Sequence, residues 1–362
     1  MPEPPIFRWG IVATGLISSW FVADLVVQRD DAKVKHIIQA IGSSNPQKGH
    51  DFALKHCPNA TPAIYASYAE LYSDPNVDCV YIGTPHSFHR QNCLDAIAAG
   101  KNVLCEKPFA INAREAKEVF EAAKEKGVFV AEAMWLRHRP IITDLRNMLF
   151  TQQEIGEIAF LSSQYNLPVD IASLPATSRY KDVELGAGSL LDVGIYPLTW
   201  ALLGLESPET QHQNLPTVLA SQTHLSQVEA TSNAILHYAS NGRHAAISSS
   251  FMAAPASNVV CQIHGSKGYI DVTGDDASHP SAFTVYLRAS QGKFEAQKYE
   301  FSCTGQGFIY EADDTALDVL AHRKESTTMP WAETLRVMKL MDEIRRQGGT
   351  CYPQDHETNL SL

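Results

Sequence analysis

The sequence predicts two domains: an α/β domain with a parallel sheet, then an α+β domain with a large, mostly antiparallel, open-faced sheet. In the first 133 residues, short apolar segments alternate with amphipathic ones, which is typical of parallel strands joined by helices. From residue 134 onward, extended segments follow one another with little helix between them, as in an antiparallel sheet. A chain of 362 residues also exceeds one ordinary domain. We expect domains at 1–133 and 134–362, with a C-terminal helix at about 331–347 that can pack back on the first.

Composition excludes several classes of function. The formal charge of -11 and pI near 5.7 argue against nucleic acid or an anionic membrane as partner. No apolar run approaches a membrane span, and the start lacks the features of a signal peptide, so we expect a cytosolic protein. Seven cysteines without Cys-x-x-Cys spacing, and histidines without a His-Glu-x-x-His pattern, indicate neither a disulfide framework nor a metal site. Most of the cysteines are expected to be buried.

The first strand and the turn after it have the pattern of a dinucleotide-binding site. Phe7 to Val12 is apolar, a small-residue turn follows, and a helix is predicted from Trp20 to about Gln28. Small residues let the backbone approach a pyrophosphate, and the helix N-terminus offers it free N–H groups. The fingerprint is degenerate, because Ala13 and Ser18 stand where its first and third glycines would. The candidate cofactor-binding residues of this turn are Ala13, Thr14, Gly15, Leu16 and Ile17.

The loop after the second strand favours NADP over NAD. The strand runs from His36 to Ile41, and no Asp or Glu follows it to bind a ribose 2′-hydroxyl. Hydroxyl, amide and ammonium groups that can receive a 2′-phosphate stand there instead. These candidates are Ser43, Ser44, Asn45 and Lys48.

Two further strand ends carry polar groups. A strand at 77–82 closes with Gly83-Thr84-Pro85-His86, and a helix with Cys93 and Ile97 on one face leads to Gly100. The next strand, Val103 to Cys105, ends at Glu106-Lys107-Pro108. Ligands bind at the carboxyl edge of such sheets, and a partly desolvated lysine there can have a lowered pKa and act in proton transfer. The candidates at these strand ends are Thr84, Pro85, His86, His89, Glu106 and Lys107.

The remaining pattern of the first domain is a helix and a last strand. Asn112 and Glu115 resemble a capping box, an apolar face follows, and Lys126-Gly127 indicates the helix end. The strand from Val128 to Ala133 then ends at Met134-Trp135.

The second domain is predicted to be a sheet followed by two helices. A hairpin turn is expected at Gly265-Ser266-Lys267-Gly268, and the stretch from Pro168 to Leu185 is the longest irregular segment. The expected extended segments are 158–166, 222–238, 243–251, 259–265, 268–272 and 283–287, and the helices are 310–322 and 331–347.

A second group of chemical residues follows the irregular segment. Gly186-Ala187-Gly188-Ser189 is a small-residue turn that enters a helix, on which Asp192 and Tyr196 are four apart and share a face. Tyrosine is a poor acid-base group at neutral pH unless an ammonium stabilises its phenolate, and Lys107 could supply that charge across the domain interface. Taken alone, the same two residues also fit a solvated Asp and a core Tyr. Pro197 should kink or disturb the helix.

Together these motifs resemble the Gfo/Idh/MocA oxidoreductase family, and the resemblance covers nearly the whole chain. Within it the chain looks most like the dimeric dihydrodiol dehydrogenases and the fungal NADP-dependent D-xylose 1-dehydrogenases. The motifs that carry the resemblance are Gly10 to Ser18, Gly83 to His86, Glu106-Lys107-Pro108, Glu132 to Arg137, Leu190 to Tyr196, Tyr310-Glu311-Ala312 and Cys351 to Gln354.

The resemblance implies a Rossmann domain that binds NADP, an open-faced sheet and a homodimer formed by two such sheets. It implies that Lys107 and Tyr196 handle the proton and that Asp192 contacts substrate. The chain departs from the family pattern at two places. His138-Arg139 stand where relatives have two aromatic residues, which affects the identity of the substrate. Gly186-Ala187-Gly188-Ser189 stands where relatives have a run of three glycines, which affects how closely that turn approaches the ligand. The other residues implied at the cofactor or substrate are Trp135, Arg137 and Arg179.

The expected activity is NADP-dependent oxidation of an aldopyranose such as D-xylose at C1 to the lactone, by hydride transfer. One alternative keeps the chemistry but acts on a trans-dihydrodiol, or reduces a dicarbonyl. A second is a non-catalytic NADP-binding regulator, which would not need both Lys107 and Tyr196. A third is an unrelated α/β protein, which the joint match of motifs disfavours.

Overall fold

A computed structural model describes residues 3–29, 32–208, 215–303 and 305–356. The chain forms two compact units, one of residues 1–138 and 303–335, the other of residues 139–302 and 336–362. Residues 303–335 thus belong to the first unit, whereas the sequence predicts that everything after residue 133 belongs to the second domain, with only the helix at about 331–347 able to pack back on the first. The last helix is divided between the two units after residue 335.

The regular elements are numbered in chain order. The strands are β1 Ile6–Val12, β2 Lys35–Gly42, β3 Ala63–Tyr65, β4 Cys79–Ile82, β5 Asn102–Glu106, β6 Val130–Ala133, β7 Ile158–Asn166, β8 Thr217–Leu225, β9 Val228–His237, β10 His244–Ser250, β11 Val259–Gly265, β12 Gly268–Gly274, β13 Pro280–Arg288 and β14 Phe294–Glu300. The α-helices are α1 Leu16–Leu25, α2 Pro46–His56, α3 Tyr68–Tyr72, α4 His89–Ala98, α5 Ala113–Lys126, α6 Pro140–Arg146, α7 Ile195–Leu205, α8 Phe308–Leu320 and α9 Trp331–Gly348.

The first unit is built on a parallel sheet of six strands in the order β3-β2-β1-β4-β5-β6. This is the strand order of a Rossmann fold, in which the order reverses beside β1 and leaves a crevice at the carboxyl ends of the strands. β4 is buried along its whole length, as expected for a strand covered on both faces. The predicted α/β domain with a parallel sheet is confirmed.

Local sequence explains where the helices of the first unit begin and end. α1 begins at Leu16, earlier than the predicted Trp20, because Gly15 is extended and is its N-cap residue. α2 was not predicted; its start is marked by Asn45, whose side chain accepts from two backbone N–H groups, and by Pro46 at the first helical position. As predicted, Asn112 caps α5, which ends at Gly127 in the left-handed conformation.

The second unit contains an eight-stranded sheet in the order β14-β13-β12-β11-β7-β10-β9-β8. Every neighbouring pair is antiparallel except β7 and β10, so the predicted mostly antiparallel sheet is confirmed. The segment expected as one strand over 222–238 is a hairpin of β8 and β9, with Ser226 at a positive φ of 61° where a glycine would signal the turn. β14 was not predicted. The hairpin turn between Gly265 and Gly268 is present.

One face of this sheet is covered by α7, all of whose residues are buried. Gly204 brings the helix close to the sheet, because a side chain there would meet Leu161 of β7 and Ile263 of β11. The segment Val183–Leu205 is long and apolar enough to cross a membrane by length and composition. Its apolar stretch is wholly buried inside the protein, which is the environment of a core helix.

Candidate active site

The turn after β1 has the conformation of a dinucleotide-binding turn despite its missing glycines. Ala13 has a φ of 73°, a left-handed conformation that glycine adopts more readily, and its N–H donates to the Gly42 carbonyl at 3.2 Å. Ser18, at the third glycine position, is fully buried against the end of β4. Gly83 makes this approach possible, because a Cβ there would clash with the Ser18 hydroxyl. The close helix packing is therefore achieved by a glycine directly after the neighbouring strand, β4.

An open cleft of about 570 Å³ lies beside this turn. A Cβ at Gly15 would meet nothing within 4 Å, so the helix N-terminus faces open space. The open space can accommodate the pyrophosphate of a dinucleotide next to the N–H groups at the start of α1. The residues of this turn therefore fit such a cofactor. The cleft is lined by Ala13, Thr14, Gly15, Ser43, Ser44, Lys48, Asp51, Phe52, Lys55, His56 and Tyr68.

Most of the residues predicted for this cleft line it, but three do not. Leu16 is exposed on α1, Ile17 lies behind the turn near Gly83, and Asn45 uses its side chain to cap α2. Lys55 and His56 were not predicted to line it. The signal that could find Lys55 is its spacing of seven from Lys48, which places both on one face of α2. Burial and the charge of Lys55 lower the pKa of His56.

The turn that carries Lys107 is held by two buried carboxyl groups, those of Glu106 and Glu132. Glu106 accepts from the Lys107 N–H at 3.2 Å and from the Tyr81 hydroxyl at 2.6 Å. Glu132 accepts from the Phe109 N–H at 3.2 Å, and its burial raises its pKa to about 7. Lys107 itself is half-buried, and the peptide bond between it and Pro108 is cis. The hydrogen bonds from the Lys107 and Phe109 N–H groups to Glu106 and Glu132 fix the backbone on both sides of this bond.

His89 links this turn to the strand end at Thr84. Its two ring nitrogens contact the carbonyl oxygens of Pro108 at 2.9 Å and Thr84 at 2.8 Å, inside a fully buried environment. Burial lowers the pKa of His89, whereas these carbonyl contacts favour the charged ring and oppose that shift. His86 is buried and its ring lies 5.8 Å from that of His89, while Pro85 is exposed. His89 therefore fixes the backbone after β4, at Thr84, relative to the backbone after β5, at Pro108.

Trp135 and Arg137 are both largely buried in the first unit. The Trp135 ring stacks on Phe308 at 4.6 Å, and the Arg137 guanidinium forms an ion pair with buried Glu333. One nitrogen of Arg137 is thus already bound by protein, which the sequence did not reveal. His138 contacts Asp314 at 2.8 Å.

The second chemical group lies in the second unit on an unusual helix. Residues Leu190–Gly194 form a π-helical turn that continues directly into α7 at Ile195. Pro197 follows in the first turn of α7, where it has no N–H to donate to Val193, so the predicted disturbance is seen as this change of helix type. Asp192 and Tyr196 are both largely buried.

Asp192 is paired with Arg179, which comes from the long irregular segment. The Arg179 guanidinium donates to the Asp192 carboxylate at 2.5 Å, and half of the Arg179 side chain is exposed. Tyr165, at the end of β7, has its ring 5.8 Å from that of Tyr196. Burial, with the charges of Asp276 and Asp192, raises its pKa. Arg179, Asp192 and Tyr196 are thus presented by one unit, and Tyr165 is a neighbour that sequence reasoning missed.

Comparison with known proteins decides the family. Residues 7–134 match the family described as "Oxidoreductase family, NAD-binding Rossmann fold", and residues 145–271 match the "GFO/IDH/MocA C-terminal domain". The chain belongs to the Gfo/Idh/MocA oxidoreductases. The predicted family is therefore confirmed, and with it the expectation of an oxidoreductase that carries a dinucleotide-binding Rossmann domain.

Two relatives and two solved structures illustrate the match. A D-xylose 1-dehydrogenase (NADP(+)) of Hypocrea jecorina is 36% identical, with 97% of this chain and 94% of the relative covered. A trans-1,2-dihydrobenzene-1,2-diol dehydrogenase of Xenopus laevis is 34% identical, with 96% and 99% covered. A levoglucosan dehydrogenase in complex with NADH and levoglucosan has a TM-score of 0.80 at 19% identity, covering 95% of this chain and 97% of that one. A 3-ketoreductase from Actinomadura kijaniata in complex with NADP has a TM-score of 0.78 at 22% identity, covering 96% and 98%.

Proposed function

We propose that this Gfo/Idh/MocA protein is an NADP-dependent dehydrogenase that oxidises an aldopyranose such as D-xylose at C1 to the lactone. The observation that carries this proposal is the 36% identity to an NADP(+)-dependent D-xylose 1-dehydrogenase over 97% of the chain. The match extends through both units and includes the segments that bear Lys107, Asp192 and Tyr196.

The choice of NADP is supported by the cleft next to β2. Ser44 and Lys48 line it and are exposed, so a hydroxyl and an ammonium are available to a 2′-phosphate. Asp51 also lines the cleft, but its carboxylate accepts from the Gln47 amide at 2.9 Å. With Lys55 beside them, the two lysines outweigh this single carboxylate, which favours an additional phosphate.

Bound in the cleft beside Gly15, NADP would supply the acceptor for the hydride that leaves C1 in the proposed reaction. Tyr196 takes the proton of the C1 hydroxyl, so that the carbon–oxygen bond becomes the lactone carbonyl. In this proposal the positive charge of Lys107 stabilises the Tyr196 phenolate that acts as the base. General-base catalysis of this kind raises the rate by about 10² to 10⁴. Asp192 and Arg179 hydrogen-bond the sugar hydroxyls. The roles of these four residues come from the family resemblance and are part of the proposal.

Initial rates with purified protein test the substrate and the cofactor together. Absorbance of the reduced nicotinamide is followed with D-xylose and NADP, with D-xylose and NAD, and with a trans-dihydrodiol and NADP. The proposal predicts the highest kcat/KM for D-xylose with NADP. A higher kcat/KM for the diol would assign the protein to the alternative below, and binding of NADP without turnover of any substrate would favour a regulator.

The alternative function is oxidation of a trans-dihydrodiol or reduction of a dicarbonyl. It is supported by the 34% identity to the Xenopus laevis dihydrodiol dehydrogenase over 96% of the chain. The same residues would handle hydride and proton in both cases, so substrate comparison alone separates them.

We also propose that two copies pair through the open face of the eight-stranded sheet, in the cytosol. This face carries a shallow groove of about 800 Å³. Leu219 of β8 and Ile235 of β9 pair directly across the two strands and line the groove. They are 65% and 40% exposed, and neighbouring exposed apolar side chains of this size are typical of a protein–protein interface. A second copy of this face would bury both.

Molar mass in solution tests the pairing. Ile235→Glu should convert a dimer to a monomer in light scattering during gel filtration, because it would bury a charge in the interface. Leu54→Glu is the matched control, since Leu54 is exposed on α2 in the other unit. A monomeric parent protein, or a dimer that survives Ile235→Glu, would contradict the pairing.

A further inference from the structure

The turn that leads into the π-helix makes an unusually close approach to two side chains. Gly188 has a φ of 148°, and a Cβ there would lie 2.7 Å from the Tyr352 hydroxyl and 2.8 Å from the Glu229 carboxylate. Only glycine fits this position. Ala187, beside it, packs in an apolar cluster with Val193 and Phe251, so its methyl has a place that a glycine would leave unfilled.

Glu229, at the start of β9, holds the beginning of the π-helix. Its side chain is fully buried and accepts hydrogen bonds from the Leu190 N–H and from the Ser189 hydroxyl, the latter at 2.7 Å. Leu190 is the first residue of the π-helix, so its N–H has no partner within the helix. The Ser232 hydroxyl donates to the same carboxylate at 3.2 Å. A single carboxylate thus satisfies the N-terminal end of the segment that carries Asp192.

Tyr352 holds the same turn from another side. Its hydroxyl donates to the Ala187 carbonyl at 2.8 Å, and the Arg345 guanidinium lies 5.1 Å from its ring. Asp355 accepts from the Tyr352 N–H at 2.9 Å and from Arg345, so the tyrosine is itself fixed. Both carbonyl and N–H groups of the turn are therefore bound by buried side chains.

These contacts reach the proposed chemical residues through the backbone. The Asp192 N–H donates to the Gly188 carbonyl at 3.2 Å, and the Ser189 hydroxyl contacts that of Ser249 at 3.0 Å. Gly194, one turn later, also packs directly on Ser249. A shift of the turn would therefore move Asp192 and, through the continuous helix, Tyr196.

We propose that Glu229 is a positioning residue for the reaction: through Ser189 and Leu190 it fixes the helix that presents Asp192 and Tyr196. This inference rests on the proposed function. It assigns Glu229 no contact with substrate or cofactor. The Tyr352 hydroxyl assists from the C-terminal segment.

The test compares Glu229→Ala and Glu229→Gln with a matched change at the other end of the same helix. Glu206 is also buried, follows α7, and accepts from Tyr238 and Arg336, so Glu206→Ala removes a buried carboxylate of equal size. Glu229→Ala should lower kcat by about 10- to 100-fold through misplacement of the helix, with NADP binding retained. Glu229→Gln, which keeps an oxygen for the Leu190 N–H, should recover most of kcat, and Glu206→Ala should keep kcat.

Hydrogen exchange supplies a readout that needs no substrate. In Glu229→Ala, backbone amides in 188–196 should exchange at least about tenfold faster, while the same amides in Glu206→Ala keep the parent rate. If Glu229→Ala does not fold, Ser189→Ala removes the hydroxyl contacts to Glu229 and Ser249 but keeps the Glu229 carboxylate for the Leu190 N–H, and it should accelerate the same amides to a smaller extent. Unchanged exchange in 188–196 together with an unchanged kcat would overturn the inference. A parent protein without turnover would overturn the proposed function, and exchange would still decide whether Glu229 fixes the helix.

Discussion

The turn after β1 and the turn before the π-helix are both small-residue turns that open a helix, yet their surroundings are opposite. Around Gly15 the backbone faces open space, and Leu16 behind it is 64% exposed. Around Gly188 no added atom would fit, and every residue from Leu190 to Tyr196 is buried. The first turn is therefore built to receive a large ligand, whereas the second has its own polar groups satisfied by protein.

This difference indicates that the first turn controls binding of the cofactor and the second controls the rate of the chemical step. An open turn contributes affinity for the cofactor, so changes near it should alter binding of the dinucleotide. A fully held turn fixes the angle of a helix, so changes on it should alter the rate of the chemical step. Substitutions at the two turns should therefore separate cofactor binding from the chemical step.

The largest effect is expected for Tyr196→Phe. Loss of the proton acceptor should lower kcat with D-xylose by about 10² to 10⁴, while the ring keeps its packing and NADP binding is unchanged. Tyr238→Phe, which also removes a buried hydroxyl, is the control, because Tyr238 contacts Glu206 at the far end of α7. Steady-state rates check this, and near-normal turnover by Tyr196→Phe would remove tyrosine from the mechanism.

A smaller effect is expected for Arg179→Ala. Arg179 is half exposed, so solvent weakens its charged hydrogen bonds. Loss of the bond to Asp192 and of the proposed bond to the sugar should therefore cost about 1.4 kcal/mol, which is tenfold in KM for D-xylose. The KM for NADP should not change. Titration of both substrates measures this, and equal changes in both KM values would mean that Arg179 serves the cofactor turn instead.

At the open turn, Lys48→Ala should change cofactor selectivity. Loss of one ammonium near a 2′-phosphate should raise the KM for NADP by about tenfold and leave the KM for NAD as it is. Lys117→Ala is the control, because Lys117 is exposed on α5 and pairs with Glu121. A parallel rise for NAD and NADP would place Lys48 elsewhere on the cofactor or show a general loss of binding.

The smallest effect concerns stability. Because burial raises the pKa of Glu132 to about 7, the folded protein holds a proton there that the unfolded chain has released at lower pH. The stabilisation of the folded state by this proton is complete below the unfolded-state pKa of Glu132. It is lost as the pH rises toward and through 7, so the parent protein becomes less stable over that range. Glu132→Gln should therefore lose less stability than the parent between about pH 5 and 8, by an amount on the order of 1 kcal/mol. Urea unfolding at both pH values tests this, and parallel pH profiles would contradict it.

Much of the first unit could be predicted because its signals are local. Strand, turn and helix follow one another there, and Asn112 and Gly127 mark the ends of α5 in the sequence itself. The start of α1 was misplaced because Gly15 as a cap resembles any glycine in a turn. The hairpin at Ser226 was missed because a serine adopted the conformation expected of glycine.

The candidate site was harder to predict where it depends on contacts between distant segments. Lys107, Asp192 and Tyr196 could be named from motifs, but the side chains that hold them are far away in sequence. Glu229 holds Leu190 across 39 positions, and the ion pair of Arg137 with Glu333 spans 196. No spacing or periodicity marks such partners, because they are determined by tertiary packing.

The fate of the C1 hydrogen shows whether hydride passes from the sugar to the nicotinamide. D-Xylose deuterated at C1 is incubated with the protein and NADP, and the mass of the reduced nicotinamide is measured. Hydride transfer from C1 predicts reduced cofactor that carries one deuterium, formed together with the lactone. Reduced cofactor without deuterium, or no reduction while a trans-dihydrodiol is oxidised, would contradict it.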